Sequence, residues 1–257
     1  MSEGKLLSGV TKVTTVNNNQ YIPLTDESGN TTIITLNNLK SAVLGGMDLN
    51  ALEDGIFIMF HRNSDNYPLM VKPHKWSGYQ NSGEIAEGVV IVEGGHVLVV
   101  APTESPTNLL WSSAAVSGGG VTTSDRVTAM ADWNGQSNTS KQIQASTSAA
   151  ITNTASYAPG YCNLYSRVNS NGKGMTAGRW WLPSVAEMMM IYANMRKINY
   201  ALSLINGADQ LVESWYWTST ENSPEFAWYL YLDDGDIRWR AKASDRGLVR
   251  AVTAFLY

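Results

Sequence analysis

The chain is poor in several things, and each shortage narrows it. One cysteine, Cys162, occurs in 257 residues. No disulfide forms within the chain, and a lone thiol of this kind is ordinarily a small buried hydrophobe. No apolar run approaches the roughly 18 residues of a membrane span. The opening, MSEGKLLSGVTKV, lacks the long apolar core of a signal peptide. Synthesis in a cytoplasm is therefore expected, with a route other than ordinary secretion if the protein works outside a cell. Lys/Arg-rich runs are missing and the net charge is −4, which argues against a nucleic-acid partner.

Recognisable catalytic and metal patterns are scarce too. His61, His74 and His96 stand apart, without paired-ligand spacing to Cys or carboxylates. A thiol nucleophile needs a base and an activating environment, and Tyr161-Cys-Asn163 displays neither. Asp233, Asp234 and Asp236 lack the ligand alternation and closing Glu of an EF-hand, so they read as a turn. Gly172, Gly174 and Gly178 do not follow a strand as a nucleotide loop requires. The sequence therefore points to no enzyme, cofactor or metal.

What the chain has in excess lies near its end. Between Trp215 and Trp239 there are eight aromatics, interleaved with Asp, Arg, Ser and Asn. A buried core does not need those charges, and a solvated surface does not ordinarily carry those aromatics. Tyr, Trp, Arg, Ser and Asn together are what binding surfaces use. Trp228–Leu232 and Ile237–Ala241 flank Asp233-Asp-Gly-Asp236, a turn sequence. Pairing Leu232 with Ile237 puts Leu230 opposite Trp239 and Trp228 opposite Ala241, all on one apolar face. The other face then carries Tyr229, Tyr231, Arg238 and Arg240, suited to stacking and cation–π contact. The segment before it, Ser214–Phe226, reads as a loop that adds Trp215, Tyr216, Glu225 and Phe226.

The remaining pattern is α+β. Residues 1–48 read as a small module: strands at Lys12–Val16, Tyr21–Leu24 and Thr31–Leu36, a turn at Asp26–Asn30, and a helix over Asn37–Leu44 closed by Gly45-Gly46. Residues 49–257 read as one larger domain. Asp54–Phe60 reads as a strand. Gly88–Val92 and His96–Val100 flank Glu93-Gly-Gly95, a hairpin signal. Gly118–Gly120 reads as a flexible break. Helices are expected over Ser124–Trp133, capped by Thr123 or Ser124, and over Lys141–Ile151. Ser184 and Glu187 have capping-box spacing ahead of a helix over Val185–Ile205. Its stripe is Met188, Ile191, Met195, Ile198 and Leu202, with Gly207 as its stop. Leu248–Phe255 reads as a last strand.

Two stretches resemble known families. Asp132-Trp-Asn-Gly-Gln136, Tyr161-Cys162, Gly178-Arg-Trp-Trp-Leu-Pro-Ser184, Tyr216-Trp-Thr-Ser-Thr-Glu221, Ala227-Trp228 and Val249-Arg-Ala-Val252 occur in order. That series resembles the C-type-lectin-like fold of variable proteins of diversity-generating retroelements, and of related formylglycine-generating-enzyme-like domains. The resemblance implies a ligand-binding face within about residues 214–247. Its varied positions would be Trp215, Tyr216, Glu225, Phe226, Tyr229, Tyr231, Asp233, Asp236, Arg238, Trp239 and Arg240. Trp217, Ser219, Glu221, Trp228, Gly235, Arg250 and Val252 would be its scaffold. Alternation along the strand puts Trp239 inside, whereas the family pattern lets it vary. Calcium-dependent sugar sites use a different order of residues from Asp132-Trp-Asn134, and the single cysteine departs from the oxidase pair.

Tyr21-Ile-Pro-Leu-Thr-Asp-Glu-Ser-Gly-Asn30, with Leu36-Asn-Asn-Leu-Lys40, is similar to short N-terminal modules of phage tail-fibre proteins of gut Bacteroidales. Together the resemblances imply a receptor-binding protein of a virion, or one otherwise exposed outside a cell. Its partner would be a host-surface protein or glycan, and it would be a trimer by analogy with fibres. The rival reading is a carbohydrate-binding or adhesion module of fixed specificity.

Overall fold

The computed structural model describes residues 21–25, 29, 31–35, 53–145 and 153–254. The chain divides into two compact units, residues 1–51 with residue 257, and Leu52–Leu256. In the first, β1 (Tyr21–Thr25) and β2 (Thr31–Thr35) form an antiparallel hairpin with Tyr21 opposite Thr35. Gly29, at φ +82°, takes the left-handed turn position. The strand expected at Lys12–Val16, and the helix over Asn37–Leu44 with its Gly45-Gly46 stop, lie outside the described residues.

The second unit mixes helices with antiparallel sheets, an α+β arrangement. Its main sheet uses β3 (Gly55–His61), β4 (Pro68–Val71), β5 (Gly88–Glu93) and β6 (His96–Val100). A short helix, α1 (Trp76–Asn81), lies between β4 and β5. The turn between β5 and β6 is Gly94-Gly95, with φ +57° and +81°. Two positive φ values match the twist of a tight hairpin, which explains the glycine pair.

The next stretch holds β7 (Leu109–Leu110), α2 (Arg126–Met130), α3 (Gly135–Ala145) and α4 (Ala158–Leu164). Asp125, rather than Thr123 or Ser124, caps α2, because its carboxylate accepts the Thr128 N–H at 2.7 Å and the Thr128 hydroxyl at 2.6 Å. Helix α2 stops well short of Trp133. Helix α3 begins six residues before the expected Lys141. It buries Asn138, Thr139 and Gln142 rather than an apolar stripe, so helical periodicity of apolar residues does not reveal it. The three glycines at 118–120 are not a loose break: Gly118 N–H and Gly120 N–H both donate to Glu221, at 2.8 and 3.1 Å.

Two short strands follow, β8 (Arg167–Val168) and β9 (Gly174–Met175), and then the long helix α5 (Val185–Ser203). Its start has the anticipated capping box; the Ser184 N–H donates to Glu187 Oε2 at 2.8 Å. Met188, Ile191, Ile198 and Leu202 are buried against Ile58, Phe60, Val89 and Ile91 of the main sheet. Each such burial contributes about 1.5–3 kcal/mol. The opposite face of that sheet buries Met59, Val90 and Val99 with Trp111, Trp180, Leu182 and Trp217.

The last strands are β10 (Trp215–Glu221), β11 (Phe226–Tyr231), β12 (Ile237–Ala241), β13 (Arg246–Gly247) and β14 (Val252–Thr253). The main sheet has the order β14-β6-β5-β3-β4, and a second has the order β10-β11-β12. Two expectations change here. Ser214–Phe226 is mostly strand rather than loop. The strand expected over Leu248–Phe255 is reduced to β14 and a single bridge from Leu248 to Tyr216, and Phe255 lies outside the described residues. Among the described residues, no helix is long and apolar enough to cross a membrane.

Candidate functional site

The aromatic-rich segment folds as the three-stranded sheet. Its hairpin register differs from expectation: Ile237 lies opposite Leu230, not Leu232, and Trp239 lies opposite Trp228. The turn takes up the difference. Gly235 N–H donates to the Tyr231 carbonyl at 2.9 Å, and the Asp236 N–H donates to Asp234 Oδ1 at 2.9 Å. Gly235 sits at φ +75°, and a Cβ there would lie 2.6 Å from the Tyr192 ring. A slip of two residues preserves side-chain parity. Tyr229, Tyr231, Arg238 and Arg240 therefore still share a face.

Strand β10 adds its own aromatics to that face, with Trp215 opposite Tyr231 and Trp217 opposite Tyr229. The Trp215 ring lies 4.8 Å from Tyr229 and 5.9 Å from Tyr231, in tilted and edge-on geometries. Such pairs contribute about 0.5–1.5 kcal/mol beyond their area. The Arg240 guanidinium lies 4.0 Å above the Trp215 ring and 5.7 Å from Tyr229. Burial pushes the Tyr229 phenol pKa up, and Arg240 holds it partly back. At the turn end, Asp236 accepts from Arg238 and, at 3.3 Å, from Arg126 of α2. A cavity of about 280 Å³ lies among Trp215, Tyr229, Tyr231, Asp234, Asp236 and Arg238.

The eleven candidate residues separate into groups. Trp215, Tyr229, Tyr231, Asp236, Arg238 and Arg240 come together as described, though Tyr229 is itself buried, packed against Trp215, Trp217 and Arg240. Phe226 and Trp239 pair with each other at 4.7 Å between ring centroids. They share strand parity with the core residues Trp228 and Leu230. Trp239 is nevertheless 50% exposed, because β12 is the edge of its sheet. Parity places it on the Trp228 side, and the edge position leaves it open. A cavity of about 480 Å³ borders Trp239, Trp228, Arg126 and Arg238. Glu225 and Asp233 are exposed, near opposite ends of β11. Tyr216 is a correction: it is fully buried, and its hydroxyl donates to Glu104 Oε2 at 2.6 Å. No ligand reaches it in this arrangement.

A polar frame beneath the face holds it in place. Glu221 and Lys242 form a fully buried ion pair at 2.6 Å. Lys242 also donates to the carbonyls of Val116, Ser223 and Pro224. The indoles of Trp111, Trp217 and Trp228 donate to the carbonyls of Thr218, Leu109 and Thr123. Asp132 accepts from Asn134, Asn138 and Thr220, a use for the Asp-Trp-Asn motif that involves no ligand. Arg250 is buried and pairs with Glu104 at 3.0 Å.

Sequence reasoning treated Asp234 as turn only and did not find Arg126. Arg126 lies 110 positions from Asp236, and no local pattern announces a contact at that distance. Of the isolated groups, His61 meets buried Glu87 at 2.7 Å and His96 stacks on Trp133 at 3.8 Å. Burial alone raises the pKa of the Cys162 thiol.

No family model matches the chain, and no curated protein matches it. Among solved structures, a fimbrial protein from Bacteroides ovatus is similar over 79% of this chain, at 14% sequence identity and a TM-score of 0.49. The match covers 49% of that protein, so this chain spans about half its length.

Proposed function

We propose that Leu52–Leu256 is a C-type-lectin-like display domain whose β10–β12 face binds a ligand on a host cell surface. Binding is by contact alone, with no bond made or broken, and without a metal or cofactor. One observation carries this reading: Trp215, Tyr229, Tyr231 and Arg240, from all three strands of one sheet, pack within 4.0–5.9 Å of one another beside a cavity. Rigid rings supply contact area at low entropic cost, and the guanidiniums select acidic or planar groups. In this reading the face is diversified by a retroelement and the protein is carried on a phage fibre. Several copies there, three by analogy, raise weak single-site binding through effective concentration. A labelled full chain is the test, measured for binding across a panel of gut Bacteroidales strains. Some strains bind, and Trp215→Ala loses binding to them at least about tenfold. Unchanged binding by that variant removes the face from the function.

A second reading, a surface module of fixed specificity, has its own supporting observation. Arg240 depends on Trp215 for its stacking, and Asp236 joins Arg238 to Arg126. Positions randomised independently do not keep such interlocked contacts. Sequencing the locus across isolates separates the two. Diversification concentrates substitutions at Trp215, Tyr229, Tyr231, Arg238 and Arg240 while Trp217 and Trp228 stay fixed; fixed specificity leaves the interlocked set constant.

A further inference from the structure

A cavity of about 370 Å³ lies between α3 and the segment that leads into α5, lined by none of the β10–β12 residues. Its volume falls within the roughly 300–1,000 Å³ of small-molecule sites. The lining differs in kind from the aromatic face. Gln136, Ser137 and Ser140 of α3 line it with Asn163 of α4 and Arg179. Trp180 and Trp181 line it too, but their indole N–H groups are engaged elsewhere. Trp180 donates to the Met175 carbonyl at 3.0 Å, and Trp181 to Glu187 Oε2 at 3.2 Å. Both are buried, so they close the floor of the cavity and offer it no donor.

Two features specify a ligand. The Arg179 side chain is exposed and makes no hydrogen bond or ion pair among the described residues, and no carboxylate side chain lines the cavity. A chain of net charge −4 thus leaves a guanidinium unpaired in a concave polar site. Gln136 and Ser137 likewise spend no side-chain hydrogen bond within the described residues. Ser140 Oγ receives only a 3.3 Å contact from Gln144. An amide and two hydroxyls both donate and accept, as paired sugar hydroxyls do. A guanidinium suits a carboxylate in bidentate geometry.

We propose that this cavity is a second binding site, for a monosaccharide that carries a carboxylate. The carboxylate pairs with Arg179, and the ring hydroxyls meet Gln136, Ser137 and Ser140. The proposal is independent of the β10–β12 face, and each stands if the other fails.

Isothermal titration of the full chain with glucuronate, methyl glucoside and inorganic phosphate tests it. Glucuronate binds with a Kd of about 1 mM, at least about tenfold tighter than either comparison ligand. Arg179→Gln abolishes that preference, Ser140→Ala weakens glucuronate severalfold, and Trp215→Ala changes neither. Phosphate binding equal to glucuronate means a general anion site and overturns the proposal. Equal binding of methyl glucoside removes the role of the carboxylate. No heat from glucuronate at about 10 mM, or an Arg179→Gln variant that binds it as the wild type does, ends the proposal outright.

Discussion

Trp215 is where packing and the proposed recognition meet. Its ring supports Arg240 on one side and touches Tyr229 and Tyr231. Because the residue is only half-buried, Trp215→Ala is expected to lower stability by about 1–2 kcal/mol while removing most of the binding. Thermal denaturation beside cell binding distinguishes the two effects. Lys242 behaves in the opposite way. Its ammonium is fully buried against Glu221, and burial lowers its pKa while Glu221 raises it in part. Lys242→Met leaves a buried carboxylate unpaired, so a loss of about 3–5 kcal/mol is expected in denaturant unfolding. Glu187 brings a pH dependence. Burial raises its pKa from 4.5 to about 7, although it accepts from Ser184 and Trp181. A pKa above the unfolded value makes the protonated form the one that favours folding. That contribution is full below about pH 4.5 and is lost as the pH rises through about 7. Glu187→Gln keeps an acceptor and cannot ionise. Between pH 5 and 8 the variant is expected to lose less stability than the wild type, by up to about 3 kcal/mol. Equal slopes in denaturant unfolding contradict this.

Among the elements, what the sequence revealed depended on whether a segment obeyed one period. Helix α5 shows a capping box and an apolar stripe, and it folds with the expected start. The β5–β6 hairpin shows two apolar runs around Gly94-Gly95, and it folds as read. Helix α3 hides because its inward side chains are Asn138, Thr139 and Gln142, which hydrogen bonds rather than apolar contacts hold. Strand β10 hides because Trp215 and Trp217 face one way, Tyr216 the other, so aromatics occupy both phases of the alternation. The β11–β12 face was legible for a different reason. The register shifted by two residues, an even number, and kept Tyr229, Tyr231, Arg238 and Arg240 together. Tyr216 was not legible as core, since it is buried in the cluster with α5 and its hydroxyl finds its acceptor in Glu104, 112 positions away. The turn that sets the register is itself testable. Gly235→Ala meets both a positive φ and the Tyr192 ring, so a loss of about 1–3 kcal/mol is expected in thermal unfolding.

For the whole molecule, the account places recognition on one sheet of Leu52–Leu256 and leaves α5 and the main sheet as its support. Another exposed apolar region offers a rival surface. Trp133, 40% exposed, stacks on His96 beside Met130 and Met189. Tyr200, at 55% exposure on α5, provides a neutral reference. Hydroxyl-radical footprinting of the full chain, free and bound to cells of a strain it recognises, compares these surfaces in one measurement. The account predicts that Trp215 and Tyr231 lose reactivity on binding while Trp133 and Tyr200 keep theirs. Protection of Trp133 with Trp215 and Tyr231 unchanged contradicts it, and places recognition on the Trp133–His96 surface instead.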